Sequence, residues 1–297
     1  MKQINLTSII LSLITRGSGG SPPLPPMEEE GGGDEDGGLT DEDWEKVTTP
    51  QEICDLLGYE LKIEKNNYYI TDTENGVEIH IPPFYVKGKG RKYLDMNSTG
   101  EQSPELIGNF NETYSLKEVM RIYHEMPDKL KQGAQKVDFK QSEGSVLGRH
   151  VWAGSNSHKV VINASAFKKR DGENPLRHTL YHEFAHGLDY RIGDDSYGLS
   201  NSKEFLEIAR HTGGTTYSNS YSQKVDTYYA ETLAEGVGIV GAYRVDPNFK
   251  VRVGPKNDSK LITAKEWMED SRNQELIQYS KKVLSTDYKL RNTQTLK

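Results

Sequence analysis

Apolar and polar positions fall into three regimes along the chain. Near the N-terminus, Lys2 precedes a short apolar run from Leu6 to Ile14, broken by Thr7, Ser8 and Ser12. From Gly17 to Asp43 glycine, serine, proline and acidic residues dominate. Such a stretch cannot bury enough apolar surface to offset the entropy of ordering it, which predicts a disordered acidic linker over 17–43. From Trp44 onward, periodic patterns take over. TPQEICDLLG predicts a helix with Thr49 as cap, Pro50 at the first helical position and Gly58 as stop. LKIEKNNYYITD and GVEIHIPPFYV alternate, predicting a β-rich region to about Val86, and the Gly, Lys, Ser and Asn content of 87–111 predicts loop. A helix over Ser115–His124 follows. SVLGRHVWAG and HKVVINAS then read as two strands joined by the turn-prone Ser155-Asn156-Ser157. Behind Asn174 and Pro175, the residues Leu176, Leu180, Phe184 and Leu188 recur at helical spacing. No internal repeat is present. The pattern predicts an α+β fold: an apolar segment 1–16, the linker 17–43, a β-rich N-terminal subdomain 44–114, and a domain over 115–297 with a small mixed sheet and a C-terminal helical part.

Composition narrows the classes. A hydrophobic fraction of 34% leaves part of the chain outside any core, and a net charge of −7 provides no broad basic surface, so nucleic acid is not an expected partner. The single cysteine, Cys54, excludes an intrachain disulfide and any zinc site built on paired cysteines; beside Ile53 and Leu56 it reads as a small buried hydrophobe. The apolar run at 6–14 is too short to span a bilayer, so no stable membrane span is expected. It reads either as an export signal or as a peptide that docks on a partner at the end of the linker.

The candidate chemistry lies at residues 181–190, YHEFAHGLDY. HEFAH places His182 and His186 one helical turn apart on one face, able to grip a single Zn²⁺, with Glu183 beside the first ligand as general base for a zinc-activated water. With 8 histidines in 297 residues, the pattern arises by chance in roughly one or two such chains per hundred. A catalytic zinc needs a third protein ligand. Glu231 in YYAETLAEGVGIV is the candidate, on a helix with Leu233, Val237 and Val240 as packing residues and Asp226 as cap. Glu235 shares its face and reads as a carboxylate behind the metal, accepting from a ligand histidine; Glu235 and Asp226 are the competing third ligands. His178, one turn before His182, reads as a supporting residue. Asp189 reads as exposed or as orienting a histidine, and Gly187 as a site of close helix packing.

HEFAHGLD, NSKEFLEIAR and YYAETLAE together resemble the anthrax lethal factor-like metallopeptidases, a group that includes the Pro-Pro endopeptidases; the likeness covers roughly 145–243. It implies a zincin-like fold in which the HExxH helix and a later glutamate-bearing helix hold the metal. It also implies an edge strand, drawn here from Val151 to Ser165, that binds substrate backbone. Asn201-Ser202-Lys203 matches the start of a further family helix, and Glu231 to Glu235 matches the family's Glu-x-x-Ala-Glu pattern. Laying YYAE on the family's Phe-Phe-Ala-Glu instead would put Thr227 at the ligand position, and threonine does not suit zinc. The family's oxyanion tyrosine has three counterparts here, Tyr217, Tyr221 and Tyr228, of which Tyr221 is chosen.

The expected activity is zinc-dependent hydrolysis of peptide bonds in a protein or peptide substrate. The alternative is a structural, virion- or secretion-associated protein that uses the same domain as a binding scaffold. The N-terminal segment points to a secreted or particle-associated protein, with a docking partner for residues 1–15 under the second of these.

Overall fold

The computed structural model describes residues 39–285, apart from 66, 83, 87–89, 93–113, 141–145, 153–156, 168–172, 193–197, 221–224 and 256. The apolar segment 1–16, nearly all of the linker 17–43, and Tyr221 lie outside the described residues. The last residues of the stretch read as linker are helical, in α1 (Asp41–Lys46), because Thr40 and Asp43 form a reciprocal capping box and Trp44 is buried.

After α1, the helix α2 (Pro50–Leu57) carries the expected Thr49 cap, made reciprocal by Glu52, and stops at Gly58, whose φ of 69° is open to glycine without a Cβ penalty. The strands β1 (Glu60–Glu64), β2 (Asn67–Asp72) and β3 (Val77–Ile81) then form an antiparallel meander. A small ribbon of β4 (Phe84–Val86) and β5 (Gly90–Lys92) follows, so β5 falls in the stretch read as loop. Next come α3 (Leu116–His124), α4 (Asp128–Lys131), β6 (Lys136–Lys140), β7 (Gly148–Trp152) and β8 (His158–Asn163). The C-terminal part holds α5 (Pro175–Arg191), α6 (Lys203–Ala209), α7 (Thr216–Asn219) and α8 (Val225–Tyr243). It ends with the hairpin β9 (Lys250–Val253) and β10 (Lys260–Thr263), then α9 (Ala264–Glu269) and α10 (Gln274–Val283).

Six strands make one mixed sheet in the order β1-β2-β3-β6-β8-β7. The neighbours β3, β6 and β8 run parallel, and the other pairs are antiparallel. The boundary expected at 114/115 therefore runs through a single sheet, because β3 hydrogen-bonds to β6 across it. Alternation decides which face is covered. In β2 and β3, Tyr68, Ile70, Val77, Ile79 and Ile81 are buried, as are Val160 and Ile162 in β8. Their apolar face meets α3 and α5. The opposite face carries charge pairs between strands, Glu78 with Lys136 and Asp138 with Lys159 and His80.

The hairpin expected from 145–165 is present as β7 and β8, in the register Gly148↔Ile162 to Trp152↔His158. Of the two hairpin strands, however, only β7 lies at an edge of the sheet. β8 sits inside between β6 and β7, so the edge expected over Val151 to Ser165 shifts to Gly148–Trp152. Among the described residues no helix is long and apolar enough to cross a membrane.

Candidate metal centre

The helix that carries the motif starts where the sequence places it. The Asn174 side chain accepts from the Arg177 backbone N–H, Pro175 fills the first position, and the Tyr114 hydroxyl donates to Asn174 at 2.8 Å. Within α5, Leu176, Leu180, Phe184 and Leu188 are buried as expected, and so are Tyr181, His182 and Glu183. A helix enclosed on nearly every side can hold polar groups only if each finds a partner.

α8 supplies those partners. Glu231, Glu235 and Gly238 share one stripe of the helix, at spacings of four and three. A Cβ on Gly238 would lie 3.3 Å from the His182 backbone nitrogen. The missing side chain lets α8 lie close against α5 at the motif and carries the two glutamates to the histidines. Gly187 has the expected packing role, though its neighbour is a turn rather than a helix. Its Cβ would fall 1.9 Å from the Gly133 carbonyl oxygen after α4.

Three ligand-type atoms converge. His182 Nε2 is 3.0 Å from Glu231 Oε2, His186 Nε2 is 3.3 Å from the same oxygen, and the two Nε2 atoms are 3.0 Å apart. All three residues are buried or half-buried. Ligand atoms about 2.0–2.1 Å from a tetrahedral zinc sit roughly 3.3 Å from one another. The triangle has that size, and two imidazole nitrogens turned toward one carboxylate oxygen form a donor set that suits zinc.

Behind this triangle lies a second cluster. Glu235 Oε1 accepts from His178 Nε2 at 2.8 Å and lies 2.8 Å from His182 Nδ1. The latter contact is short but off the N–H axis, leaving Nδ1 without a straight hydrogen bond. Although His178, His182 and Glu235 also form a group of metal-ligand type, the carboxylate meets His182 on its Nδ1 side. Glu235 thus lies on the side of the His182 ring away from the Nε2 that faces Glu231. Asp226, the other competitor, lies within the first turn of α8, which begins at Val225 and not after Asp226 as a cap would require.

The charges follow the geometry. Burial alone would raise both glutamates, but hydrogen bonds from His182 and His186 bring Glu231 down to about 2. Charge and hydrogen bonds from His178 and His182 likewise hold Glu235 well below the ordinary range. Burial would lower His182, and the same two carboxylates drive it well above its usual value. Glu183 goes the other way: burial raises its pKa, against the pull of His182, His186 and the backbone of His150. Its carboxylate lies beneath the sheet edge, where a Cβ on Gly148 would be 3.2 Å from Oε1.

Of the two candidate tyrosines among the described residues, Tyr217 on α7 is the one beside the triangle. Its ring is 5.3 Å from that of His182, edge to face, and it is half-exposed. Tyr228 donates its hydroxyl to the Ala209 carbonyl at 3.2 Å and so is engaged with α6. Asp189 is buried rather than exposed. It accepts from the Ser200 N–H at 2.8 Å, tying the end of α5 to the 3₁₀ turn at Leu199–Asn201, and Ser202 caps α6 next to it. Gly148 and His150 carry no motif, and sequence reasoning passed over both. A glycine inside a strand pattern is the signal that marks a close approach.

Searches against protein-family models, curated proteins and solved structures find no match for this chain.

Proposed function

We propose that the chain is a zinc-dependent endopeptidase of zincin type, with His182, His186 and Glu231 as the metal ligands and Glu183 as general base. The observation that carries this reading is the convergence of His182 Nε2, His186 Nε2 and Glu231 Oε2 within 3.3 Å of one another, with the Glu183 carboxylate on the same helix. The likeness to the lethal factor-like metallopeptidases in residues 145–243 supports the same assignment.

A bound zinc ion supplies Lewis acidity, lowering the pKa of water and polarising the scissile carbonyl. Glu183, with a pKa raised by burial, is placed to take a proton from the attacking water and return it to the departing amine. Glu235 and His178 hold His182 in the ligating orientation. Tyr217, beside His182, is the described tyrosine whose position suits stabilising the oxyanion of the tetrahedral state. The outer edge of β7, which no other strand among the described residues pairs, runs past Glu183 and can pair with an extended peptide backbone.

The scaffold alternative has less to support it, since binding alone gives no role to a buried carboxyl poised next to the ligands. The deciding measurement is zinc content beside cleavage of a degenerate peptide library. The peptidase reading expects about one zinc per chain, lost in Glu231→Gln and kept in Glu183→Ala, with cleavage abolished in both. A wild-type chain without zinc would instead favour the scaffold.

A further inference from the structure

Large apolar side chains exposed among the described residues are Ile63, Val146, Trp152, Tyr190, Tyr217 and Leu261. Four of the six lie on or beside α5, α7 and β7. Tyr217 stands against His182, Tyr190 is in the last turn of α5, and Val146 and Trp152 flank the two ends of the edge strand β7. Apolar side chains scattered singly over a surface need no explanation, but a cluster beside a catalytic cleft does.

The strand geometry shows what this cluster forms. The space a Gly148 side chain would fill is occupied by Thr179 and Glu183 of α5, so that position faces the helix. Side chains at 150 and 152 point the same way, since alternate residues share a face. His158, directly opposite Trp152 in the register, shares it too. His150 stacks on Tyr190 with ring centroids 5.7 Å apart and planes 14° from parallel. It stacks equally on His158 at 5.1 Å and 21°, with Nε2 3.1 Å from His158 Nδ1. Burial first, then the charges of His158, His186 and Arg191, push His150 down to about 3; burial and Arg191 push His158 to about 4. The surface these rings build with Tyr190 and Trp152 is aromatic. Trp152 is 68% exposed.

We infer that Trp152, His150 and Tyr190 form a subsite shelf for a large apolar side chain, aromatic or branched aliphatic, of an extended peptide laid along β7. The assignment rests on the peptidase reading for its purpose. The occupant follows from the location: the shelf adjoins a strand edge left unpaired among the described residues, so the chain that reaches it pairs its backbone with β7 and turns alternate side chains onto the shelf. An apolar side chain there gains burial against the faces of the rings.

The chain contains its own reporter. Trp44 and Trp267 are buried, so Trp152 is the tryptophan that a bound peptide would shield. The experiment uses the full chain as Glu183→Ala, with and without zinc. It is titrated with hexapeptides of one backbone sequence carrying Phe, Leu, Ala or Glu at each position in turn. Tryptophan emission and calorimetric affinity are both read. The expected result is that Phe or Leu at one fixed position shifts the emission and binds about tenfold or more tighter than Ala. Trp152→Ser should remove both the shift and the preference, and Tyr190→Ala should weaken the preference; both sites are exposed enough to leave folding intact. Equal affinity for Phe and Ala peptides, no peptide binding at all, or an unchanged preference in Trp152→Ser would overturn the shelf. The shelf is built from β7, β8 and α5 without the metal, so the two readings fail separately. An apolar preference in a chain that takes up no zinc removes the peptidase and keeps the shelf. Library cleavage by wild type with no apolar preference does the reverse.

Discussion

Replacing Gly187 with alanine sets two effects of opposite sign against each other. Gly187 is inside α5, where alanine is favoured over glycine by roughly 1 kcal/mol, so with open space around it the change would stabilise the fold. The space is not open. The new Cβ would lie 1.9 Å from the Gly133 carbonyl oxygen, 2.6 Å from its carbon and 3.0 Å from its Cα, all of them backbone. Real Cβ contacts do not fall below 3.0 Å, so α5 and the turn after α4 must part by at least 3.0 − 1.9 = 1.1 Å. The contact is tight from the other side too, because a Cβ on Gly133 would be 2.0 Å from the Phe184 carbonyl oxygen. Overpacking that side chains can absorb costs about 1–3 kcal/mol. Here only backbone can move, so the steric cost should exceed the propensity gain and leave a net loss of about 2 kcal/mol or more. Urea unfolding of the metal-free chain, with an unchanged m-value, measures this directly. Because His186 is the preceding residue, the same shift should weaken zinc binding. A Gly187→Ala chain as stable as wild type, or more so, would refute the close approach and with it the seating of the motif helix.

Three further outcomes are expected. Glu235→Gln preserves shape and burial but removes the charge shared by His178 and His182, and should raise the zinc dissociation constant about 10–100-fold; an unchanged constant in a chelator competition would remove Glu235 from its supporting role. Asp138 is a pH-dependent contributor. Burial raises its pKa, but Lys159 and His80 outweigh this and hold it below the ordinary value. A depressed carboxyl stabilises the fold above its unfolded pKa of about 3.9 and loses that contribution as the pH falls through the folded value. The stability gap between wild type and Asp138→Asn should therefore be full at pH 7 and close in strong acid; a gap independent of pH would rule out the ion pair. Cys54 is fully buried, with its thiol pushed up to about 12 by burial, so at pH 8 it should resist alkylation in the native chain and react on unfolding. Rapid labelling of the folded protein would contradict that burial.

Much of this protein is legible in the sequence because it is local. The caps at Thr49, Ser115, Asn174 and Ser202 act within a few residues of themselves, and the i, i+4 spacing of His182 and His186 is a property of any α-helix. Glu231 and Glu235 could be paired with those histidines because helical spacing puts them on one face of α8. Other features follow from long-range packing that no short window contains. β6, KVDFK, has lysines at both ends and reads weakly, yet it joins β3 to β8 at the centre of the sheet. That parallel pairing merges the expected β-rich subdomain with the domain after it. Choosing Tyr217 over Tyr228 depended on where α7 lies against α5, and finding Asp189 buried depended on the 3₁₀ turn that covers it. The roles of Gly148 and Gly238, and the turn against which Gly187 packs, were beyond the sequence for the same reason: a missing side chain takes its meaning from the atoms it makes room for, and those belong to distant segments. The sequence by itself determined the helices and the ligand types they carry, since these follow from backbone periodicity and side-chain chemistry. Only the tertiary structure decided the sheet edge, the supporting carboxylate contacts and the aromatic shelf, since each requires segments far apart in the chain to meet.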